Sequence, residues 1–207
     1  MSVRRIAVIS AGLSQPSSSR LLADRLSDAT VRRLTEHGYQ VEVQVIELRE
    51  LARDITNNLL TGFPAPALRE VLDRVAEADA LIAVTPIFSA SYSGLFKSFF
   101  DILEPDALTD LPVLIGATGG TSRHSLVLEH AVRPLFSYLH AVAAPTGVYA
   151  AAEDWGGAAD NGGALQERIE RAAAQFTELV ARSDRTGRGN DPFAGVLAYP
   201  TDAPTGS

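Results

Sequence analysis

The chain contains no cysteine. That one absence excludes disulfides, thiol nucleophiles, iron–sulfur clusters and thiolate zinc sites. Basic residues are the minority: 18 Lys and Arg stand against 25 Asp and Glu, a formal charge of -7. A field of that sign repels polyanions, so neither nucleic acid nor an anionic membrane is an expected partner. No apolar run approaches the roughly 20 residues of a membrane span. Met1-Ser2-Val3-Arg4-Arg5-Ile6 leads straight into a strand-like segment rather than an export signal. The expectation is a soluble, cytoplasmic protein. Histidine is sparse as well. His37, His124, His130 and His140 form no i,i+4 pair and have no carboxylate in motif spacing, so no metal centre is expected.

What is present suffices for a core, since 46% of the 207 residues are hydrophobic and 21% charged. Strand-like and helix-like segments alternate. Ile6 to Ser10 is a β-branched run. Arg20 to Glu36 places Leu22, Leu26, Ala29 and Leu34 on one helical face, and Gly38 closes it. Val41, Val43 and Val45 alternate with polar residues as an edge strand does. Residues 48–66 read as irregular and 67–78 as a helix. Ala80 to Val84 is a buried strand, Ser93 to Leu103 a short helix, and Val113 to Ala117 another buried strand. Ser125 to Leu139 reads as one long helix, and Val142 to Tyr149 as a fifth strand broken by Pro145. The last helix runs from about Gly163 to Arg182.

Five strands separated by helices imply a parallel sheet with right-handed crossovers. The most economical arrangement is an α/β three-layer sandwich of flavodoxin-like type, with strand order 2-1-3-4-5. Its ligand crevice lies at the C-terminal ends of strands 1 and 3. The domain covers residues 1–183. Residues 184–207 are rich in Gly and Pro without periodicity and form a separate tail.

Three loops leave that end of the sheet. The first is Ser10-Ala11-Gly12-Leu13-Ser14-Gln15-Pro16-Ser17-Ser18-Ser19-Arg20. It precedes a helix N-terminus, where free N–H groups and the helix dipole favour an anion. One serine of Ser17, Ser18 and Ser19 suffices as a helix cap. The other hydroxyls, with Ser10 and the charge of Arg20, suit a phosphate. Neither G-x-G-x-x-G nor G-K-[ST] is present. A monophosphate held by hydroxyls points to FMN rather than to a dinucleotide or a triphosphate.

The second loop, Thr85-Pro86-Ile87-Phe88-Ser89-Ala90-Ser91-Tyr92-Ser93-Gly94, offers a stiff strand exit, two aromatic rings and small residues with accessible backbone. Pro86, Ile87, Phe88, Ser89, Ser91 and Tyr92 are candidates to face a flavin ring. In the third, Thr118-Gly119-Gly120-Thr121-Ser122-Arg123-His124, the paired glycines allow close approach of a ligand to the backbone. Thr118, Gly119, Gly120 and His124 complete the set of candidates. No triad or carboxylate pair marks a side-chain catalyst.

Ser10-x-x-Leu13-x-x-x-Ser17-x-Ser19-Arg20, Thr85-Pro86-x-Phe88-x-x-Ser91-x-Ser93-Gly94-x-x-Lys97-x-x-x-Asp101 and Thr118-Gly119-Gly120 occur in this order. Together they resemble the flavodoxin-like NAD(P)H-dependent FMN reductases over about residues 3–155. Ser91-Tyr92-Ser93-Gly94 and the Thr118 to Pro134 stretch are most similar to flavin reductases partnered with luciferase-like or alkanesulfonate monooxygenases. The resemblance implies FMN and NAD(P)H as cofactors and hydride transfer to FMN, with FMNH2 passed to such an oxygenase. It also implies a one-residue π insertion in the helix around His130, near a subunit interface. This chain departs from the family pattern twice. Ser14 stands where many members have a phosphate-binding arginine, and Ile87-Phe88-Ser89 replaces an acidic-aromatic-Asn triplet. Arg20 and backbone dipoles are left to offset the phosphate charge, so FMN is expected to bind weakly, as suits a substrate.

The helices 93–103 and 125–139 carry apolar residues on more than one face, which argues for a homodimer or homotetramer. Alternative functions are an FMN-bound quinone or azo-type reductase and, in another class, a flavodoxin-type electron carrier. Arg123 and Arg133 are either surface residues or partners for a 2′-phosphate, which leaves NADH and NADPH both open.

Overall fold

The computed structural model describes residues 2–155 and 161–185. Four strands make the central sheet: β1 (Val3–Ser10), β2 (Gln40–Glu47), β3 (Ala80–Phe88) and, after a two-residue strand β4 (Ser91–Tyr92), β5 (Pro112–Gly119). Two short strands, β6 (Val142–Ala143) and β7 (Val148–Ala151), pair in succession along β5. The order β2-β1-β3-β5-β6 is the expected 2-1-3-4-5, all parallel. β2 is the edge strand, as its alternating pattern requires.

Helices α1 (Ser18–Glu36) and α6 (Asn161–Arg182) cover one face of the sheet. The other face is covered by α2 (Ala52–Thr61), α3 (Pro66–Ala76), α4 (Gly94–Asp101) and α5 (Arg133–Tyr138). The central strands read apolar throughout because both faces are buried: Leu81, Ile82, Ala83 and Val84 are all fully enclosed.

Three expectations need correction. Residues 48–66 are not irregular: a 3-10 turn (Leu48–Leu51) leads into α2, which buries Ile55 and Asn58. Only two buried positions in ten residues leave a weak periodic signal. The single helix expected over Ser125 to Leu139 is a π segment (Leu128–Val132) and α5, preceded by a 3-10 turn (Ser122–His124). Pro134 accounts for the break. It has no N–H to donate, and its ring would collide with the carbonyl four residues back in a regular helix. The wider π turn, in which the Arg133 N–H reaches the Leu128 carbonyl, makes room for it. That π segment contains His130, where the family resemblance implied an insertion. The fifth strand, finally, is two strands, because Pro145 interrupts the ladder after the Ala144 N–H has bonded Val113.

Arg133 holds this region together. Its guanidinium donates to Glu129 and to the carbonyls of Ala144 and Pro145, the kink between β6 and β7. The hydrogen bond from Arg133 keeps the Glu129 carboxyl below its ordinary value.

The apolar surplus on the two helices is largely used within the chain. Phe96, Phe99 and Phe100 of α4 and Phe136 of α5 are buried and stack on one another. What remains outside is Leu126 and Tyr138, 63% and 82% exposed. Residues 186–207, most of the expected tail, lie outside the described residues.

Candidate functional site

Parallel pairing brings the three loops to one edge. Ser10 is in register with Val84, and Pro86 with Thr118, so the chain leaves β1, β3 and β5 side by side. The Ala11 N–H then bonds the Val84 carbonyl at 2.9 Å and starts the first loop alongside β3.

The first loop is built on its own serines. Ser17 is the N-cap of α1, and its Oγ accepts the Arg20 N–H at 3.2 Å. Gly12 packs against that cap. A Cβ there would overlap the Ser17 Oγ and stand 3.3 Å from the Ser19 Cβ. Ser19 is buried and hydrogen-bonds the hydroxyl of Thr118 at 2.7 Å, which ties the first loop to the third. Ser18 is exposed. Ser10 is 1% exposed, and its Oγ has no hydrogen-bond partner.

Two serines thus serve the loop itself, yet neither is used up. A hydroxyl that accepts still has its O–H to donate, and a hydroxyl pair joined by one bond keeps one O–H free. With the uncapped amides of the first turn of α1, this is a neutral donor set suited to a phosphate monoester. Ser10 adds an orphaned hydroxyl at the end of β1, the strand this loop leaves. The residues fit FMN.

Arg20 is placed differently from the sequence expectation. Its guanidinium is held by Asp24 at 2.8 Å and Glu47 at 2.7 Å, and its pKa lies above the ordinary value chiefly through the Asp24 hydrogen bond. Arg49 stands 3.5 Å from the other Glu47 oxygen, so two guanidiniums and two carboxylates cancel and leave no net positive charge for a phosphate. Replacing Glu47 with Gln is expected to tighten FMN binding about fivefold, a gain on the order of 1 kcal/mol from removing one nearby negative charge. Riboflavin, without the phosphate, should bind equally to both proteins. Titration of flavin fluorescence checks this; equal FMN affinities would mean that Arg20 and Glu47 have no bearing on the phosphate.

The second loop is a tight hairpin. Ile87 pairs with Tyr92 and Phe88 with Ser91, so Ser89 and Ala90 alone make the turn. Both have positive φ, 48° and 63°, the geometry of a type I′ connection usually made by Asn-Gly. Thr85 fixes its base: the buried Oγ1 accepts the Ser93 N–H at 3.0 Å and donates to the Pro86 carbonyl. Ser93 in turn caps α4 through the Phe96 N–H. Phe88 is 48% exposed at the tip, while Pro86, Ile87, Ser91 and Tyr92 are half-buried along the inner strands. Lys97 and Asp101 form an i,i+4 ion pair on the outside of α4.

In the third loop Thr118 is buried, Gly119 half-buried and Gly120 exposed. His124 is exposed in the 3-10 turn that follows. A cavity of about 560 Å³ adjoins this loop, lined in part by Ser122, Leu128, Tyr149, Glu153 and Arg168. Among the described residues no cluster of His, Asp and Glu is placed to hold a metal ion, and no helix is long and apolar enough to cross a membrane.

Residues 4–156 match the NADPH-dependent FMN reductase family. The chain belongs to that family. It is an NAD(P)H-dependent oxidoreductase that uses FMN. The chain is 40% identical to the NADH-dependent FMN reductase SfnE of Pseudomonas putida, an alignment covering 84% of this chain and 91% of the relative. It is 36% identical to the FMN reductase (NADPH) of Pseudomonas aeruginosa, with the same coverage of both chains. Among solved structures, an oxidoreductase from Corynebacterium diphtheriae superposes with a TM-score of 0.84 at 46% identity. That superposition covers 88% of this chain and all of the other.

Sequence reasoning missed several residues of this FMN reductase. Glu47, which takes up Arg20, lies at the end of β2, 27 residues away. Tyr149 and the carboxylate of Asp154 lie behind the third loop, and no local motif announces them. Gly12 was within reach, since a glycine between Ser10 and a serine-rich turn signals close packing.

Proposed function

We propose that this FMN reductase binds FMN as an exchangeable substrate, reduces it with NAD(P)H and releases FMNH2 to a separate flavin-dependent monooxygenase. The observation that carries the reading is the Ser19–Thr118 hydrogen bond, with the buried Ser10 hydroxyl at the end of β1 left unpartnered. It joins the loops after β1 and β5 into one cradle of neutral donors. When bound, FMN supplies the ring that accepts hydride from the nicotinamide.

In this reading the chain's own residues bind and orient. Ser10, Ser17, Ser18, Ser19 and the amides of α1 hold the phosphate. Pro86, Ile87, Phe88, Ser89, Ser91 and Tyr92 flank the ring from the β3–β4 hairpin, and Thr118, Gly119, Gly120 and His124 from the other side. Holding two rings at reaction distance is itself a large part of the rate, so no side-chain acid or base is required. Arg20 does not tip the balance toward retention, because Asp24 and Glu47 already engage it.

The oxygenase partner is supported by the likeness of residues 91–94 and 118–134 to monooxygenase-partnered reductases, and by the π segment at Leu128–Val132. A homo-oligomer is supported by Leu126 and Tyr138, two large side chains left in water on either side of that segment. The reduced nicotinamide pool sets the site of action in the cytoplasm.

Equilibrium binding tests the substrate reading. FMN should bind with a Kd in the micromolar range or weaker and be lost on gel filtration. Flavin retained stoichiometrically with a nanomolar Kd would overturn it in favour of a resident cofactor.

A further inference from the structure

The two glycines of the third loop are glycines for different reasons. At Gly120 a Cβ would meet nothing within 4 Å, so that side remains open. At Gly119 a Cβ would overlap the phenol oxygen of Tyr149 and stand 3.2 Å from its Cζ. Gly119 therefore makes room for a side chain of this protein, and Gly120 is the one left for a ligand.

Tyr149 is not free to move aside. It is 8% exposed, and its backbone lies in the β5–β7 ladder opposite Ala117. Its O–H donates to the Thr121 carbonyl at 2.6 Å. Asp154 steadies the end of β7: one carboxylate oxygen accepts the Ala151 N–H, the other an Arg168 N–H. Burial, with Glu153 and Asp154 nearby, raises the phenol above its ordinary value. The group that donates to Thr121 stays protonated at physiological pH.

The loop is thus held at both ends. Ser19 grips Thr118 from the first loop, and Tyr149 grips Thr121 from β7. Between those two hydrogen bonds lie only Gly119 and Gly120. We infer that Tyr149 is a positioning residue for flavin binding: its phenol fits the space left by Gly119, holds the Thr121 carbonyl, and so sets the backbone of Gly120 against the flavin. This inference rests on the placement of the third loop in the FMN site.

The test is a cycle of three variants, each measured for FMN Kd, thermal midpoint and KM for the nicotinamide. Tyr149→Phe keeps the ring and removes the hydroxyl, and is expected to weaken FMN about fivefold to twentyfold, the scale of one buried hydrogen bond. KM for the nicotinamide should not change. Gly119→Ala in the native background is expected to weaken FMN by about a hundredfold, since the loop must lift away from the phenol. The double variant should bind FMN more tightly than Gly119→Ala alone, because the overlapping oxygen is gone. Restored affinity on adding a second substitution supports the inference.

A merely structural tyrosine would lower the thermal midpoint and leave the FMN Kd of the folded protein unchanged, which overturns it. So would a double variant no better than Gly119→Ala. If the native chain itself bound no FMN, the reading of the loop would fall with the inference, and that outcome is visible before any variant is made.

Discussion

Gly12→Ala is expected to weaken FMN binding by about a hundredfold while leaving the protein folded. The added Cβ would overlap the Ser17 Oγ and crowd the Ser19 Cβ at 3.3 Å. Ser17 must then swing away from the Arg20 N–H that it caps, and Ser19 must shift from Thr118. A hydrogen bond to a charged group contributes about 1.5–3 kcal/mol, so the loss of one or two to the phosphate reaches roughly a hundredfold. No apolar core side chain is removed, and the stability cost should be that of one damaged helix cap, about 1 kcal/mol. Riboflavin, lacking the phosphate, should lose much less affinity than FMN. Fluorescence titration with both flavins checks the pair. Unchanged FMN affinity in Gly12→Ala would remove the first loop from the site.

Phe136→Ala should be among the costliest truncations outside the site, about 3–5 kcal/mol of stability. Phe136 is fully buried where α5 meets α4. Its ring meets Phe100 edge-on at 5.0 Å and Phe96 at 6.3 Å, so the truncation opens a cavity and breaks two aromatic contacts at once. The cluster cannot close over the gap easily, because Phe96 and Phe99 are pinned within the same helix. Phe136→Leu, which fills most of the volume, should lose far less. Leu60→Ala, on α2 and 81% exposed, should stay within about 0.5 kcal/mol of the native chain. Urea unfolding separates the three; a loss below 1 kcal/mol for Phe136→Ala would mean that α5 does not close the core.

The parts of this molecule that were legible in the sequence are those governed by local pattern. The apolar run of β3, the alternation of β2 and the helical face of α1 each follow from burial on two faces, one face or one stripe, and the strand order followed from their alternation. In the first loop the helix cap was legible, because one serine of the run at 17–19 suffices for it. The second loop was not legible as a hairpin. Ser89 and Ala90 take positive φ without being glycine or asparagine, so the usual turn signal is missing. Its geometry comes instead from Thr85 and Ser93, fixed by tertiary context. The long helix failed at Pro134, which was visible but does not by itself say whether the chain kinks, stops or widens into a π turn. Least legible were the long-range partners. Glu47 reaches Arg20 only because β2 lies beside β1, and Tyr149 meets Gly119 only because β7 pairs with β5.

Steady-state oxidation of NADH and of NADPH by the purified chain, with and without added FMN, tests the central claim most directly. Little turnover is expected without added flavin, and a rate that rises and saturates as FMN is supplied, with riboflavin requiring higher concentrations. No nicotinamide oxidation at any FMN concentration, or full activity that ignores added FMN, would contradict it.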